Sequence, residues 1–272
     1  MLSLGDSGKN DSKSACSPWV IKEKNIWHMF YLGTYITTPA PDRIPAFPYL
    51  TMKAKSIALT GPWLKQYDVT PLQLKKESYY SSNVSPGYIV KTKKEYLQFF
   101  SGSAQDRKIV KRTVGIARTK NLNEAWEIDS SPVVPLEEQI ENSSIYFDKK
   151  TKYWFLFTNH IGIDPEDSTE YTDAIWVYWS KNINKWNAAD KAIVLDSSNC
   201  TWSKGAIGMP SVIQKGNRLA LLYDAYEGFN TWHMKRNIGL AWLQLPLRIP
   251  DIDRLSILEK KLKFIITKPF FL

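Results

Sequence analysis

The chain has 272 residues, is 43% hydrophobic and 23% charged, and carries a formal net charge of +9. That composition is globular, and no stretch approaches the roughly 20 uninterrupted apolar residues of a membrane-spanning helix, so no membrane partner is expected. The lysines sit mostly in polar turns outside any binding motif; this argues against nucleic acid as a partner and leaves phosphate or an acidic sugar as ligands the charge would favour.

Residues 1–13 are polar and lack the apolar core of a signal peptide. They are expected to be a leader or the remnant of a preceding structural unit. From there a pattern recurs four times. A proline-led or small-residue start opens an extended apolar run, a polar turn follows, and a second run is thick with aromatics. Ser17-Pro18-Trp19-Val20-Ile21 leads to Trp27-His28-Met29-Phe30-Tyr31, and Ser85-Pro86-Gly87-Tyr88-Ile89 leads to Tyr96-Leu97-Gln98-Phe99-Phe100. Asn142-Ser143-Ser144-Ile145-Tyr146 leads to Tyr153-Trp154-Phe155-Leu156-Phe157, and Met209-Pro210-Ser211-Val212-Ile213 leads to Leu219-Ala220-Leu221-Leu222-Tyr223. Starts separated by roughly 55 to 70 residues mark a repeat architecture.

Each copy continues through a loop to a third extended run and then a tryptophan: Lys55-Ser56 before Trp63, Arg118-Thr119 before Trp126, and Trp179-Ser180 before Trp186. The last copy gives Ile238-Gly239-Leu240-Ala241-Trp242, and Ala192-Ile193-Val194-Leu195 reads as a fourth strand. Four short strands per copy, rich in β-branched and aromatic residues, describe a propeller blade. The alternative is a β-sandwich whose hairpins happen to look alike. The propeller domain is placed at residues 14–249, and residues 250–272 break the pattern as a tail, with a short helix expected over 255–262 and a last strand over 264–267.

In a propeller blade the first strand starts, and the second ends, at one edge of the central channel. Loops joining second to third strands therefore gather at the channel mouth, where a rigid scaffold presents its chemistry. Those loops are expected over residues 34–51, 101–112, 159–173 and 224–236. They supply Asp42, Arg43, Arg112, Asn159, His160, Tyr226, Trp232, His233 and Arg236 as candidate ligand contacts. Acids, arginines and aromatics of this kind suit a polyhydroxylated ligand.

The proline-led first strands, the Phe30-Tyr31-Leu32-Gly33 second strand and the third strands ending in Ser/Thr before Trp resemble the five-bladed β-propeller glycoside hydrolases, the families around 43, 32, 117 and 130. The resemblance covers most of the chain, and marks the fold more than a substrate. It implies an all-β propeller of the five-bladed glycosidase type, with four blades visible here and the first apparently incomplete. It also implies Asp-Pro at the start of two blades and Glu-x-Pro at another, the glutamate serving as general acid. Glu141-Asn142-Ser143 falls in that Glu-x-Pro register, with serine replacing proline, so Glu141 is the first candidate. An acidic turn is the plain alternative for it. The blade starts that would carry aspartate show Ser17, Ser85 and Met209, and the one Asp-Pro, Asp164-Pro165, lies in a mouth loop.

Glycoside hydrolysis needs a second carboxyl group, spaced about 6.5–9.5 Å from the first for inversion and about 5–5.5 Å for retention. Asp173 is the leading candidate, followed by Asp224 and then Asp42. The expected function is hydrolysis of a glycan or oligosaccharide by carboxylate acid–base catalysis. A non-catalytic carbohydrate-binding propeller is one alternative. Phosphorolysis, with Arg43, Arg107, Arg112, Arg236 and His160 holding phosphate, is another. No cofactor is expected; a channel calcium or sodium ion is compatible with such propellers, but the three histidines, His28, His160 and His233, share no zinc spacing. Cys16 and Cys200 match no metal or redox motif and read as idle thiols, with a disulfide as the alternative. Relatives implied by the resemblance are often secreted or periplasmic, while the sequence itself shows no export signal.

Overall fold

A computed structural model describes residues 2–106, 109–164, 166, 168–232, 235–250 and 265–266. Among the described residues the only helical element is a 3-10 turn, Leu136–Glu138. No helix is long and apolar enough to cross a membrane. Everything else regular is strand, as the β-branched and aromatic runs require.

The strands form four four-stranded antiparallel sheets, each in meander order. Blade 1 holds β1 (Ser14–Glu23), β2 (Ile26–Thr34), β3 (Leu50–Ser56) and β4 (Leu64–Lys65). Blade 2 holds β5 (Asn83–Lys91), β6 (Tyr96–Asp106), β7 (Ile109–Thr119) and β8 (Glu127–Ile128). Blade 3 holds β9 (Ile140–Asp148), β10 (Tyr153–Ile163), β11 (Glu170–Ser180) and β12 (Lys191–Asp196). Blade 4 holds β13 (Ile207–Lys215), β14 (Arg218–Ala225), β15 (Asn237–Gln244) and β16 (Ile265–Ile266). This is the repeating unit of a β-propeller. The chain divides into two compact units, Met1–Pro132 with blades 1 and 2 and Val133–Leu272 with blades 3 and 4. A fifth sheet is not found among the described residues. The helix expected over 255–262 lies outside them.

Each first strand carries a β-bulge at the start read from the sequence. The register shifts between Cys16 and Trp19 in β1, between Ser85 and Tyr88 in β5, and between Gly208 and Ser211 in β13. In β9 the shift falls at Asn142, opposite Thr158 and Asn159. Ser17, Asn142 and Met209 take left-handed φ values of 48, 54 and 52°. Proline cannot donate to a ladder, and a bulge is where a strand tolerates it. The strands begin three or four residues before their prolines, Pro18, Pro86 and Pro210.

Two expected mouth loops are shorter than the sequence suggests. Residues 101–112 are mostly the paired ends of β6 and β7, running in register from Ser101–Val114 out to Asp106–Ile109. Residues 159–173 likewise extend β10 and β11, leaving only 164–169 as loop. On β6, Ser101, Gly102 and Ser103 are all buried, with Gly102 lying against Tyr79 and Tyr80.

In the second unit the core lies between the blades. Phe155 and Phe157 of β10, Ile175 and Val177 of β11, and Leu219 and Leu221 of β14 are all buried in one cluster. Their period of two places each set on one strand face, and each buried side chain stabilises by about 1.5–3 kcal/mol relative to exposure. In the first unit Phe30 meets the edge of Trp126 at 5.5 Å, joining β2 to the β7–β8 connection. Residues before β1 pack on blade 1, where Asp11 is fully buried. Both cysteines are free thiols; Cys200 is buried, its sulfur 3.6 Å from the Tyr223 hydroxyl.

Candidate active site

The second unit gathers most of the candidate residues at the mouth edge of blades 3 and 4. Glu141 is the second residue of β9, half-buried, and stands opposite Asn159 of β10. The bulge beside it lets Asn142 Nδ2 donate to Asn159 Oδ1 at 2.9 Å. Asn159 is fully buried, and its Nδ2 has no hydrogen-bond partner. An unpaired buried amide donor next to a carboxyl position is a costly arrangement that a polar ligand or water would relieve.

Across β10, a second bulge produces the other half of the site. His160 pairs with Ala174 and Ile161 with Thr172, so Asp173 is the extra residue. Freed from the ladder, its carboxylate reaches His160, with Oδ1 2.7 Å from Nδ1. A β-carbon on Gly162 would lie 2.7 Å from Asp173 Oδ2, so only glycine leaves the carboxylate its place. The His160 ring lies flat on Trp176, with centroids 4.3 Å apart and planes at 3°. Lys191 Nζ stands 4.6 Å from the Trp176 ring centre and bonds Glu138, which also accepts the Tyr178 hydroxyl at 2.6 Å. Stacking and hydrogen bond together fix the imidazole parallel to the indole. Burial, reinforced by Asp173 and Asp164, pushes the Tyr171 phenol above its ordinary pKa, so it stays a neutral hydroxyl beside these acids.

Blade 4 adds a bridge to this edge. Arg236 donates from Nη1 to Asp224 Oδ1 and to Thr172 Oγ1, both at 2.9 Å. Its side chain is only 8% exposed, and Nε and Nη2 have no partner. Thr231 Oγ1 lies 3.4 Å from Asp164 Oδ2, tying the two mouth loops together. Asp224 therefore ends β14 as the counter-charge of a buried arginine, a more structural position than the sequence suggests.

The remaining candidates fall as follows. Tyr226 is half-buried just after β14, and Trp232 is exposed in the next loop. His233 and Arg107 lie outside the described residues. Asp42, Arg43 and Arg112 belong to the first unit. The first two are exposed in the β2–β3 loop, and Arg112 is buried on β7 with Nη1 3.4 Å from the Val110 carbonyl. Among the described residues no three His, Cys, Asp or Glu side chains converge as a metal site. Trp176, which stacks on His160, and Lys191 and Glu138 behind it had no sequence signal beyond strand alternation.

Four four-stranded meander sheets are the blade arrangement of a β-propeller. Solved structures carry the same fold. A thermostable family-43 glycoside hydrolase aligns over 90% of this chain and 73% of its own, with a TM-score of 0.62 and 13% identity. An endo-arabinase from Bacteroides thetaiotaomicron aligns over 84% of this chain and 74% of its own, with a TM-score of 0.61 and 13% identity. The GH32 beta-fructofuranosidase of Bombyx mori covers 92% of this chain but only 48% of its own length, with a TM-score of 0.60 and 14% identity. At such identities the likeness is one of fold. No protein-family model matches the chain, and no curated protein matches it.

Proposed function

We propose that the protein hydrolyses a glycosidic bond at the mouth edge of blade 3, with Glu141 as general acid and Asp173 as the base that activates water. The observation that carries this reading is the placement of the two acids on either side of β10, Glu141 opposite Asn159 and Asp173 beside His160. An inverting reaction requires the two carboxyls to stand about 6.5–9.5 Å apart, and a retaining one about 5–5.5 Å. In the inverting reaction the Glu141 carboxyl gives its proton to the leaving oxygen as the anomeric C–O bond breaks. Water attacks the anomeric carbon from the opposite side and surrenders a proton to Asp173. The contact between His160 Nδ1 and Asp173 Oδ1 holds the carboxyl in place for the attacking water.

The neighbours' own names guide the choice of substrates. Release of reducing sugar from arabinan, xylo-oligosaccharides and sucrose, compared between the wild type and Glu141→Gln, tests the reading. Turnover that Glu141→Gln abolishes while leaving the thermal midpoint unchanged supports it. Turnover that survives the substitution overturns the role of Glu141.

A second reading, glycan binding without turnover, has its own observation. The resemblance implies an aspartate at the β5 bulge, and Ser85 stands there, buried, donating its hydroxyl to Asn83 Oδ1 at 2.6 Å. Saturable binding to an oligosaccharide with no product released would favour it.

A further inference from the structure

The turns at the opposite edge of the blades, away from the acids, are basic in every blade. The β1–β2 turn carries Lys22 and Lys24, and the β5–β6 turn carries Lys91, Lys93 and Lys94. The β9–β10 turn carries Lys149, Lys150 and Lys152, and the β13–β14 turn carries Lys215 and Arg218. All of these side chains are exposed. The carboxylates in the same turns are already engaged. Glu23 accepts the Tyr96 hydroxyl, Glu95 pairs with Arg118 at 3.1 Å, and Asp148 is buried, accepting the Lys150 amide at 2.8 Å. Each unit thus has one end whose exposed cations lack free counter-charges in their turns, while the acids Glu141, Asp173 and Asp224 of the second unit lie at the other.

We propose that the turn end of each unit is a docking surface for a polyanionic, uronate-bearing polysaccharide. The proposal does not rest on the hydrolytic reading. Nine of the ten cations are lysines, point charges on flexible stems that engage a repeating carboxylate without a shaped pocket. Weak contacts spread over several turns add up on a polymer through multivalency. The one arginine, Arg218, lies over the Trp242 ring at 4.3 Å. Several of the cations stand on aromatic side chains: Lys22 Nζ is 5.5 Å from the Trp27 ring and Lys91 Nζ 5.3 Å from the Tyr96 ring. These contacts hold the aliphatic stems upright at the turn. The turn tips Lys24-Asn25, Lys93-Lys94, Lys149-Lys150 and Gly216-Asn217 carry no long apolar side chain to enter a bilayer. The exposed Ile57 and Leu59 in the other turn of blade 1 make an anionic lipid surface the competitor to be tested.

The test is retention of the full chain by sodium polygalacturonate in affinity electrophoresis, run beside neutral arabinan, phosphatidylserine vesicles and duplex DNA. The expected result is retention by polygalacturonate that fades steeply with added salt, with weaker binding to vesicles and DNA. Lys93→Gln/Lys94→Gln and Lys149→Gln/Lys150→Gln/Lys152→Gln should each weaken it about tenfold or more, with thermal midpoints unchanged. Equal retention of the variants, salt-insensitive retention, or tighter binding to vesicles or DNA than to polygalacturonate overturns the proposal.

Discussion

Asp173 Oδ1 lies 2.7 Å from His160 Nδ1 because a bulge in β11 lifts Asp173 out of the ladder directly opposite that histidine. The two side chains are expected to act as one unit in catalysis. Asp173→Asn removes the base and should lower kcat by about 100-fold or more. His160→Ala leaves the carboxylate in place but unsupported, and should cost about tenfold. The double variant should be no slower than Asp173→Asn alone, since coupled residues are not additive. Steady-state kinetics on the three variants check this, and additive losses would separate the two roles.

Gly162 offers a test of the same carboxylate without touching its chemistry. The added methyl of Gly162→Ala would meet Asp173 Oδ2 at 2.7 Å, and the backbone there does not need a positive φ. The carboxylate must shift while the strand remains paired. The expected outcome is a fall in kcat of about tenfold or more with a thermal midpoint near that of the wild type, since small displacements of reacting groups are expensive. A large loss of stability with normal specific activity would contradict the placement of Asp173.

Most of the blade pattern was legible in the sequence, and most of the site's wiring was not. The first hairpin and third strand of every blade announce themselves, because large buried side chains such as Phe30, Phe99, Phe157 and Leu221 recur in the second strand of each. Ser101-Gly102-Ser103-Ala104 reads as loop but is strand, since Ser101 and Ser103 are buried and Gly102 lies against Tyr79 and Tyr80, with no large side chain of its own to mark the strand. Glu141 could be picked out through the resemblance, yet the meeting of Asp173 with His160 depends on a one-residue bulge. Bulges change register without changing composition, so alternation alone cannot reveal them. Arg236 was legible as a charged mouth residue, but not as the partner of Asp224, because Asp224 lies on β14 and Arg236 twelve residues on, in the loop before β15.

Lys53 makes a pH-dependent prediction. Its side chain is fully buried on β3, with Nζ 2.6 Å from Asn123 Oδ1. Burial, with Lys55 second, pushes its pKa from 10.5 down to about 8. Below pH 8 both folded and unfolded chains hold the proton, so the folded state bears the whole cost of a buried ammonium. Between about 8 and 10.5 the unfolded chain binds more proton, and stability therefore rises with pH across that window. The full effect is about 3 kcal/mol. Lys53→Met should be more stable than the wild type by about 1–3 kcal/mol at pH 7, because exposed Asn123 finds water instead. In denaturant melts that advantage should shrink between pH 8 and 10; a constant difference would show that Lys53 does not titrate there.

Asp11 should prove indispensable to blade 1. Its carboxylate is completely buried and accepts from the Tyr31 hydroxyl at 2.8 Å, the Tyr67 hydroxyl at 3.2 Å and the Lys65 ammonium. Burial first, then the bond to Asp11, raises the Tyr31 phenol well above its ordinary pKa, so it remains a donor at any physiological pH. Asp11→Ala strands three donors, including an ammonium that is 12% exposed, and opens a void against Gly33 and Met52. Breaking one side of a buried ion pair costs about 3–5 kcal/mol, more than removing both charges together. Asp11→Asn, which keeps the shape and two of the hydrogen bonds, should cost less. Pairing Asp11→Ala with Lys65→Met should recover part of the loss, and chemical denaturation of all three variants measures it. A double variant no more stable than Asp11→Ala would mean that the buried ammonium is not what makes the single substitution costly.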